Sequence, residues 1–216
     1  MDQEQEIEII NSNTRKQKIK NFFINHKKNI IFILILIILL LISFFLYQDY
    51  RLGIKEKLSD KYNILVTKFE SGKKENIENE FKEIINKKDK TYSPLAFYFL
   101  IDNQLISSQD EINKYFDILI NELNLEDEIK NLTIYKKGLY NSDFADENQL
   151  LDILNPIIKS ESIWKSHALF LMAEYYLAKN ENQKSKEFFS QIVNLENANS
   201  KLKVAAQNRL RANFSD

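Results

Sequence analysis

The sequence predicts an all-α protein in which a single N-terminal transmembrane helix precedes a domain of helical repeats. Residues 29–48 form an uncharged stretch of 20 residues, and the chain after it shows apolar residues at three- and four-residue steps. The chain also has only three glycines and two prolines among 216 residues, which leaves few residues suited to the tight turns of a β-protein. We therefore expect long helices.

The composition excludes several classes of protein. A formal net charge of −1 gives no general attraction to nucleic acid, because nucleic-acid-binding proteins carry a concentrated basic face. The absence of cysteine excludes disulfides and thiolate metal sites, and the two histidines, His26 and His167, lie far apart without a metal-binding motif. We expect no metal, no cofactor and no nucleic acid partner.

The first predicted segment is a charged leader, residues 1–28, on the cytoplasmic side of a membrane. Its tip is acidic and the stretch after it is basic. The acidic residues are Asp2, Glu4, Glu6 and Glu8, and the basic ones are Arg15, Lys16, Lys18, Lys20, Lys27 and Lys28. Two interpretations stay open: a tail that binds a partner, or a solvated tail that carries ordinary topology charges.

The second segment, residues 29–48, is predicted to be the transmembrane helix, with Ile30 to Tyr47 as its apolar part. At about 1.5 Å per residue, 20 uncharged residues reach ~30 Å, which is the thickness of a hydrocarbon core. A buried helix of a soluble protein is one alternative, but such a helix rarely lacks a polar face over this length. A cleaved signal peptide is disfavoured because no small-x-small site follows the apolar run.

The charges beside this segment predict its orientation. Residues 15–28 hold six positive side chains and no negative ones, whereas residues 49–62 hold four positive and three negative ones. Because positively charged flanks tend to stay in the cytoplasm, we expect the N-terminus there. In a bacterium, residues 49–216 would then lie in the periplasm, on the outer side of the inner membrane.

The segment at 49–216 is predicted to be a helical repeat domain. Short polar breaks recur every 35 to 37 residues, at 71–73, 107–109, 142–143 and 179–181. Each break is followed by mostly apolar residues at positions i, i+4 and i+7, which line one face of a helix. These twelve residues are Ile77, Phe81, Ile84, Ile112, Phe116, Leu119, Leu150, Leu154, Ile157, Ser185, Phe189 and Ile192. Self-similarity at a fixed period indicates a solenoid.

A period of about 34 residues with two helices is typical of tetratricopeptide repeats, so we expect a tetratricopeptide-like α-solenoid of about four helical hairpins. Ala173, and Gly138 one unit earlier, would take the small position where the two helices of a hairpin meet. The first two units have Leu65 and Leu100 there, which predicts helices that lie further apart or follow another register. The segment from Leu202 to Leu210 is predicted to form a capping helix.

No catalytic set is evident in the sequence, so we do not expect an enzyme. The candidate functional residues are those of a partner-binding groove: His167, Phe170 and Glu174, which the register places on the concave face of the first helices of the hairpins. Ordinary packing against unit three is the alternative for His167 and Phe170. Trp164, the only tryptophan, is predicted to pack between helices.

The order of these segments resembles a known family. A terminal Trp-x-x-x-Ala-Leu and an Ala-x-x-Arg-Leu follow the span and the first repeats. The matching residues are Trp164, Ala168, Leu169, Ala173, Tyr176, Leu177, Ser185, Phe189, Ala206, Arg209 and Leu210. On these residues the chain resembles the bacterial inner-membrane tetratricopeptide-repeat-like family that includes the ancillary subunit of the Sec translocon.

The resemblance implies a periplasmic domain that binds Sec translocon subunits or periplasmic chaperones and has no chemistry of its own. The expected function is therefore that of a membrane-anchored protein-protein interaction module that assists protein translocation and periplasmic chaperone traffic. A structural adaptor for envelope assembly or cell division, built on the same repeat scaffold, is the alternative.

Overall fold

The structure, a computed structural model, describes the backbone of residues 3–214 and the side chains of residues 14–18 and 20–214. Within this part of the chain it consists of helices and contains no strand, which confirms the predicted all-α class. The helices are α1 (Gln3–Glu70), α2 (Ile77–Asn86), α3 (Tyr92–Asp102), α4 (Gln109–Asn121), α5 (Asp127–Asn141), α6 (Glu147–Ile158), α7 (Lys165–Ala178), α8 (Asn182–Asn194) and α9 (Ser200–Phe214). The chain forms two compact units, residues 1–57 and residues 58–216.

The first unit holds the predicted span. Among the described residues, α1 is the one helix long and apolar enough to cross a membrane, and its apolar window is not buried by the protein. Side chains there are well exposed, for example Phe32 at 68% and Leu40 at 63%. So large an apolar surface is unfavourable in water, which agrees with a membrane helix, although a signal sequence near the N-terminus passes the same test of length and composition.

The acidic tip of the leader lies outside the side chains that the structure describes. This applies to Asp2, Glu4, Glu6 and Glu8. The two interpretations of the leader therefore both stay open.

The second unit consists of four helical hairpins and one further helix. The first helix of each hairpin is called the A helix and the second the B helix. Hairpin one pairs the end of α1, from Leu58 to Glu70, with α2. Hairpins two, three and four pair α3 with α4, α5 with α6 and α7 with α8, and α9 packs on hairpin four. The predicted solenoid of four hairpins with a capping helix is confirmed.

The B helices carry the repeating part of the core. All twelve residues of the predicted i, i+4, i+7 pattern lie on B helices, and all are buried. Full burial of a large apolar side chain such as Phe81 or Phe116 stabilises the fold by about 1.5–3 kcal/mol. The repeat seen in the sequence therefore arises from the buried faces of successive B helices.

The hairpins differ in how closely their two helices approach. In hairpin three, a Cβ atom added at Gly138 would lie 2.5 Å from Cδ2 of Leu154, so a larger residue would force Leu154 to move. In hairpin four the corresponding residue is Ala173, whose carbonyl accepts a hydrogen bond of 2.9 Å from Oγ of Ser185. The backbones of α7 and α8 lie close along their length, whereas those of α3 and α4 approach at only a few positions. The leucines of hairpins one and two allowed either a wider separation or another register, and α3 and α4 show the wider separation.

Three of the four A helices end in the same turn. Gly72, Gln104 and Asn180 have φ values of 81°, 54° and 62°, in the left-handed region. The residue after each donates its N–H to a carbonyl five residues back, as Leu105 does to Leu100 at 2.9 Å. This is the Schellman motif, which satisfies the last carbonyls of a helix. The turn of hairpin three, residues 142–146, has no left-handed residue and follows a different course.

The ends of α6 and α9 refine the sequence-based prediction. α6 begins with a capping box, in which Asp146 accepts from the backbone N–H of Gln149 at 2.9 Å and the Gln149 side chain accepts from the N–H of Asp146 at 3.1 Å. It ends two residues after Pro156, at Ile158. The capping helix α9 extends beyond the predicted 202–210 at both ends, and Ala206 is buried against hairpin four.

Candidate protein-binding face on the A helices

The three predicted groove residues lie on α7, the A helix of hairpin four. His167, Phe170 and Glu174 follow the spacing i, i+3 and i+7, so they share one side of the helix, and each is half-buried. α7 packs against both α5 and α9. The three side chains accordingly have different neighbours.

His167 belongs to an aromatic group between α5 and α7. Its ring centroid lies 4.9 Å from that of Trp164 and 5.7 Å from that of Tyr135, and the rings of Tyr135 and Trp164 stack at 5.8 Å. The Nδ1 atom of His167 is buried and has no hydrogen-bond partner among the described residues. Burial lowers the pKa of His167, an effect that the backbone carbonyl of Ile163 opposes in part, so the imidazole is neutral at pH 7.

Phe170 and Glu174 contact α8 and α9. The ring of Phe170 meets that of Phe189, on α8, edge to face at 5.5 Å. The carboxylate of Glu174 accepts hydrogen bonds from Nε and Nη2 of Arg209, on α9, at 2.8 and 3.1 Å. Part of each side chain is therefore used in packing, and the half that stays exposed is what a partner would contact. Their role in binding stays a prediction.

Trp164 lies between helices, as predicted. It precedes α7 and stacks on Tyr135 of α5. Its backbone N–H donates to Oγ of Ser162 at 3.1 Å, and that hydroxyl donates to Oε2 of Glu128, on α5, at 2.7 Å. Because Ser162 is itself buried, this bridge fixes the start of α7 against α5.

The equivalent residues of hairpin three were not predicted from the sequence. Gly138 and Ala173 occupy the same repeat position, so Tyr135 corresponds to Phe170 and Leu139 corresponds to Glu174. Leu139 is 50% exposed, and Tyr135 is half-buried beside His167. The signal was available, since the register applied to one unit could have been applied to the unit before it. The A-face site, as the name is used below, consists of Tyr135, Leu139, His167, Phe170 and Glu174.

A polar network holds the two hairpins of this site together. The hydroxyl of Tyr176 donates to Oε1 of Glu147 at 2.9 Å, and the ammonium of Lys184 donates to both oxygens at 2.8 and 2.7 Å. These bonds, with that of Lys184 first, lower the pKa of the Glu147 carboxyl. The hydroxyl of Tyr175 donates to the carbonyl of Ala145 at 3.1 Å. These hydrogen bonds tie α7 to hairpin three.

The A-face site offers aromatic and aliphatic surface, one neutral imidazole and one carboxylate that already has an arginine partner. Such a surface binds apolar side chains and stacks with flat groups. Within the part of the chain that the structure describes, no three His, Cys, Asp or Glu side chains come together as a metal site would require.

These features define the class of the protein: a helical-repeat protein whose repeats have the two-helix form of tetratricopeptide units. A family model described as a tetratricopeptide repeat-like domain matches residues 20–111. The match covers the apolar helix, hairpin one and α3, which is less than half of the chain, and it ends before the residues at 164–210 that carry the resemblance drawn from the sequence. No curated protein and no solved structure matches the chain. Tetratricopeptide-like domains are typically non-catalytic modules for protein-protein interaction.

Proposed function

We propose that the chain is a single-pass protein of the bacterial inner membrane whose periplasmic repeat domain binds proteins near the Sec translocon and so assists protein translocation. Its partners would be translocon subunits or periplasmic chaperones. The observation that carries the proposal is the combination of an uncharged stretch of 20 residues with a repeat domain that exposes an aromatic A-face site.

The membrane part of the proposal is supported by charge and exposure. The side chains of the apolar window face away from the protein, and six basic residues precede the window. Both features are expected of a membrane anchor. Anchoring would also raise the local concentration of the repeat domain beside a membrane complex, which strengthens weak binding without new contacts.

The binding part is supported by pre-organisation. Tyr135 and His167 are held by the Ser162–Glu128 bridge and by the Glu147 network, so a partner would meet a surface that is already ordered. A pre-ordered surface spares the conformational entropy that a mobile one would lose. The resemblance to the Sec-associated family directs the choice of partner.

The absence of cysteine makes the topology testable with single-cysteine variants, because the unmodified chain gives no background. Asn21→Cys reports on the leader and Gln183→Cys on α8, and both side chains are exposed. In spheroplasts, a membrane-impermeant maleimide should label Gln183→Cys at once and Asn21→Cys only after lysis. Labelling of Asn21→Cys alone would reverse the orientation, and labelling of neither before lysis would place the repeat domain in the cytoplasm.

Partner binding is tested by photocrosslinking in the full chain. A benzoylphenylalanine in place of the exposed Leu139 should crosslink to Sec subunits or to a periplasmic chaperone. Phe170→Ala should weaken that crosslink while the helical content of the chain is kept. The matched control is Ile64→Ala, at a side chain that is 55% exposed on α1 and outside the site. Recovery of none of these partners, or capture unchanged by Phe170→Ala, contradicts the proposal.

A further inference from the structure

A second surface lies where α4, α5 and α6 meet, away from the A-face site. It is a groove of about 430 Å³ between the B helices of hairpins two and three. Its floor is a reciprocal amide pair, in which Asn113 donates to Asn141 at 3.0 Å and Asn141 donates back at 2.7 Å. Phe144, Ile153, Asp110 and Asp152 lie around it.

Phe144 is the unusual residue of this groove. Its side chain is 61% exposed, whereas the other phenylalanines of residues 58–214 are buried or half-buried. It stands in the A-to-B turn of hairpin three, which is the turn that lacks the left-handed residue found in the other three. The repeat pattern is therefore broken at the point where an aromatic ring faces solvent.

The turn that carries Phe144 is held rigidly. The backbone N–H groups of Phe144 and Ala145 donate to the carbonyl of Asn141 at 3.0 and 2.8 Å. The carbonyl of Ala145 accepts from the hydroxyl of Tyr175 at 3.1 Å, and the ring of Phe144 rests beside that of Tyr140 at 5.9 Å. An exposed ring on a fixed turn contacts a partner without a further loss of chain entropy.

The groove is negatively charged. Asp110, in the first turn of α4, and Asp152, on α6, are exposed and have no ion pair among the described residues. The cation in the lining, Lys137, is paired with Asp117 at 2.7 Å. The surrounding segment, residues 109–158, holds eleven acidic and four basic residues, whereas the rest of the chain holds 20 acidic and 26 basic ones. The near-neutral total therefore conceals an acidic segment of net charge −7.

We propose that this groove docks a segment of a partner protein in which lysine or arginine residues flank an aliphatic or aromatic side chain. The apolar side chain would lie on Phe144 and Ile153, and the basic residues would pair with Asp110 and Asp152. Anionic lipid headgroups and nucleic acid are disfavoured because the unpaired carboxylates repel them. The site is separate from the A-face site, so one repeat domain could hold two proteins at once.

The test is fluorescence anisotropy with the full chain in nanodiscs of neutral lipid, against empty nanodiscs. The probe is a short labelled peptide of alternating lysine and leucine, and its counterpart is a peptide of glutamate and leucine. The lysine peptide should bind saturably, and its binding should weaken as salt is raised. Absence of saturable binding, or equal binding of the glutamate peptide, contradicts the proposal.

Variants locate the binding. The double variant Asp110→Asn/Asp152→Asn should weaken the lysine peptide about tenfold, and Phe144→Ala should weaken it by a similar factor. The charge control is Asp127→Asn, which removes the same kind of exposed first-turn carboxylate from α5 outside the groove. The apolar control is Ile163→Ala, at a side chain that is 66% exposed. Binding of the lysine peptide that is unchanged in both groove variants would overturn the proposal.

Two outcomes would give the groove a different occupant and would also overturn the proposal. They are binding of anionic vesicles, or self-association of the chain, that is lost in Asp110→Asn/Asp152→Asn. Crosslinking from position 139 should be unchanged in these groove variants. The failure of the groove proposal is thereby distinguished from a failure of the A-face site.

Discussion

The first two hairpins differ from the last two in how the space between their crossing helices is filled. Where the helices of a hairpin cross, the first pair has Leu65 and Leu100, both fully buried, and the second pair has Gly138 and Ala173. The first pair fills a wide gap with side chains, and the second brings the backbones together. One repeat fold therefore tolerates either choice, provided that each crossing is filled.

The difference extends to what surrounds each crossing. The wide half fills its gaps with aromatic rings, such as Phe97 against Phe116 at 4.8 Å and Phe81 against Phe99 at 4.5 Å. The close half also has aromatic pairs, such as Tyr135 and Trp164 at 5.8 Å, together with hydrogen bonds between hairpins that centre on Glu147 and Lys184. The residues of the A-face site lie on the close half. Close backbones and hydrogen bonds between hairpins thus accompany the aromatic contacts of the site.

The largest effect is expected from emptying a wide crossing. Leu100→Ala should destabilise hairpin two by about 2–5 kcal/mol, because it removes buried methyl groups and leaves a cavity. Hydrogen exchange followed peptide by peptide should show the loss of protection in hairpins one and two first, as expected for a solenoid in which each unit contacts its neighbours.

The control for that substitution is Leu95→Ala on the same helix, where the side chain is 44% exposed. It should change stability by no more than about 0.5 kcal/mol. An equal loss in both variants, or an equal loss of protection in all four hairpins after Leu100→Ala, would show that the two halves are not distinct.

A smaller effect is expected from overfilling a close crossing. Gly138→Leu should destabilise by about 1–3 kcal/mol, because even its Cβ atom would meet Leu154, and the better helix propensity of leucine offsets less than ~1 kcal/mol. Thermal unfolding followed by the fluorescence of Trp164 measures it. Gly53→Leu is the matched control, since an added Cβ there has no atom within 4 Å. If the two variants unfold alike, glycine is not required at the crossing.

The smallest expected effect is on the pH dependence of Tm. It arises from His167, which lies in hairpin four. The pKa of His167 is lowered by burial, so below its usual value of 6.5 the unfolded chain binds a proton that the folded chain does not. The stability gained from the neutral imidazole is present above pH 6.5 and is lost as the pH falls through the lower, folded value. Acidification should therefore lower Tm less in His167→Gln than in the unmodified chain. Equal shifts in both proteins would show that His167 is not buried as described.

The B helices could be predicted from the sequence because their burial is one-sided and repeats in register. The i, i+4, i+7 residues mark that face directly, whereas the leucines at the first two crossings left a wider spacing and another register both open. Helix ends and the limits of the anchor were less accessible. α1 runs without a break from Gln3 to Glu70, whereas the boundaries at 28/29 and 48/49 were drawn on charge and stay predictions.

The candidate site could be predicted only by position, not by contact. The register predicted that His167, Phe170 and Glu174 share one side of an A helix, and all three lie on α7. It could not show that Arg209 pairs with Glu174 or that Tyr135 stacks on Trp164, since these pairs depend on how neighbouring units rotate about each other. The groove at Phe144 was not predicted, because a single exposed phenylalanine in a turn leaves no periodic signal.

The turn at Gln104 contains backbone strain that a substitution could relieve. This residue adopts a left-handed φ of 54° in a position that glycine occupies at the end of α1. A side chain with a Cβ is strained in that conformation, and glycine is not. Substitution of Gln104 by glycine would therefore relieve backbone strain without moving any helix. The stability gained in this way could offset the cost of mutations that adapt the binding surfaces to new partners.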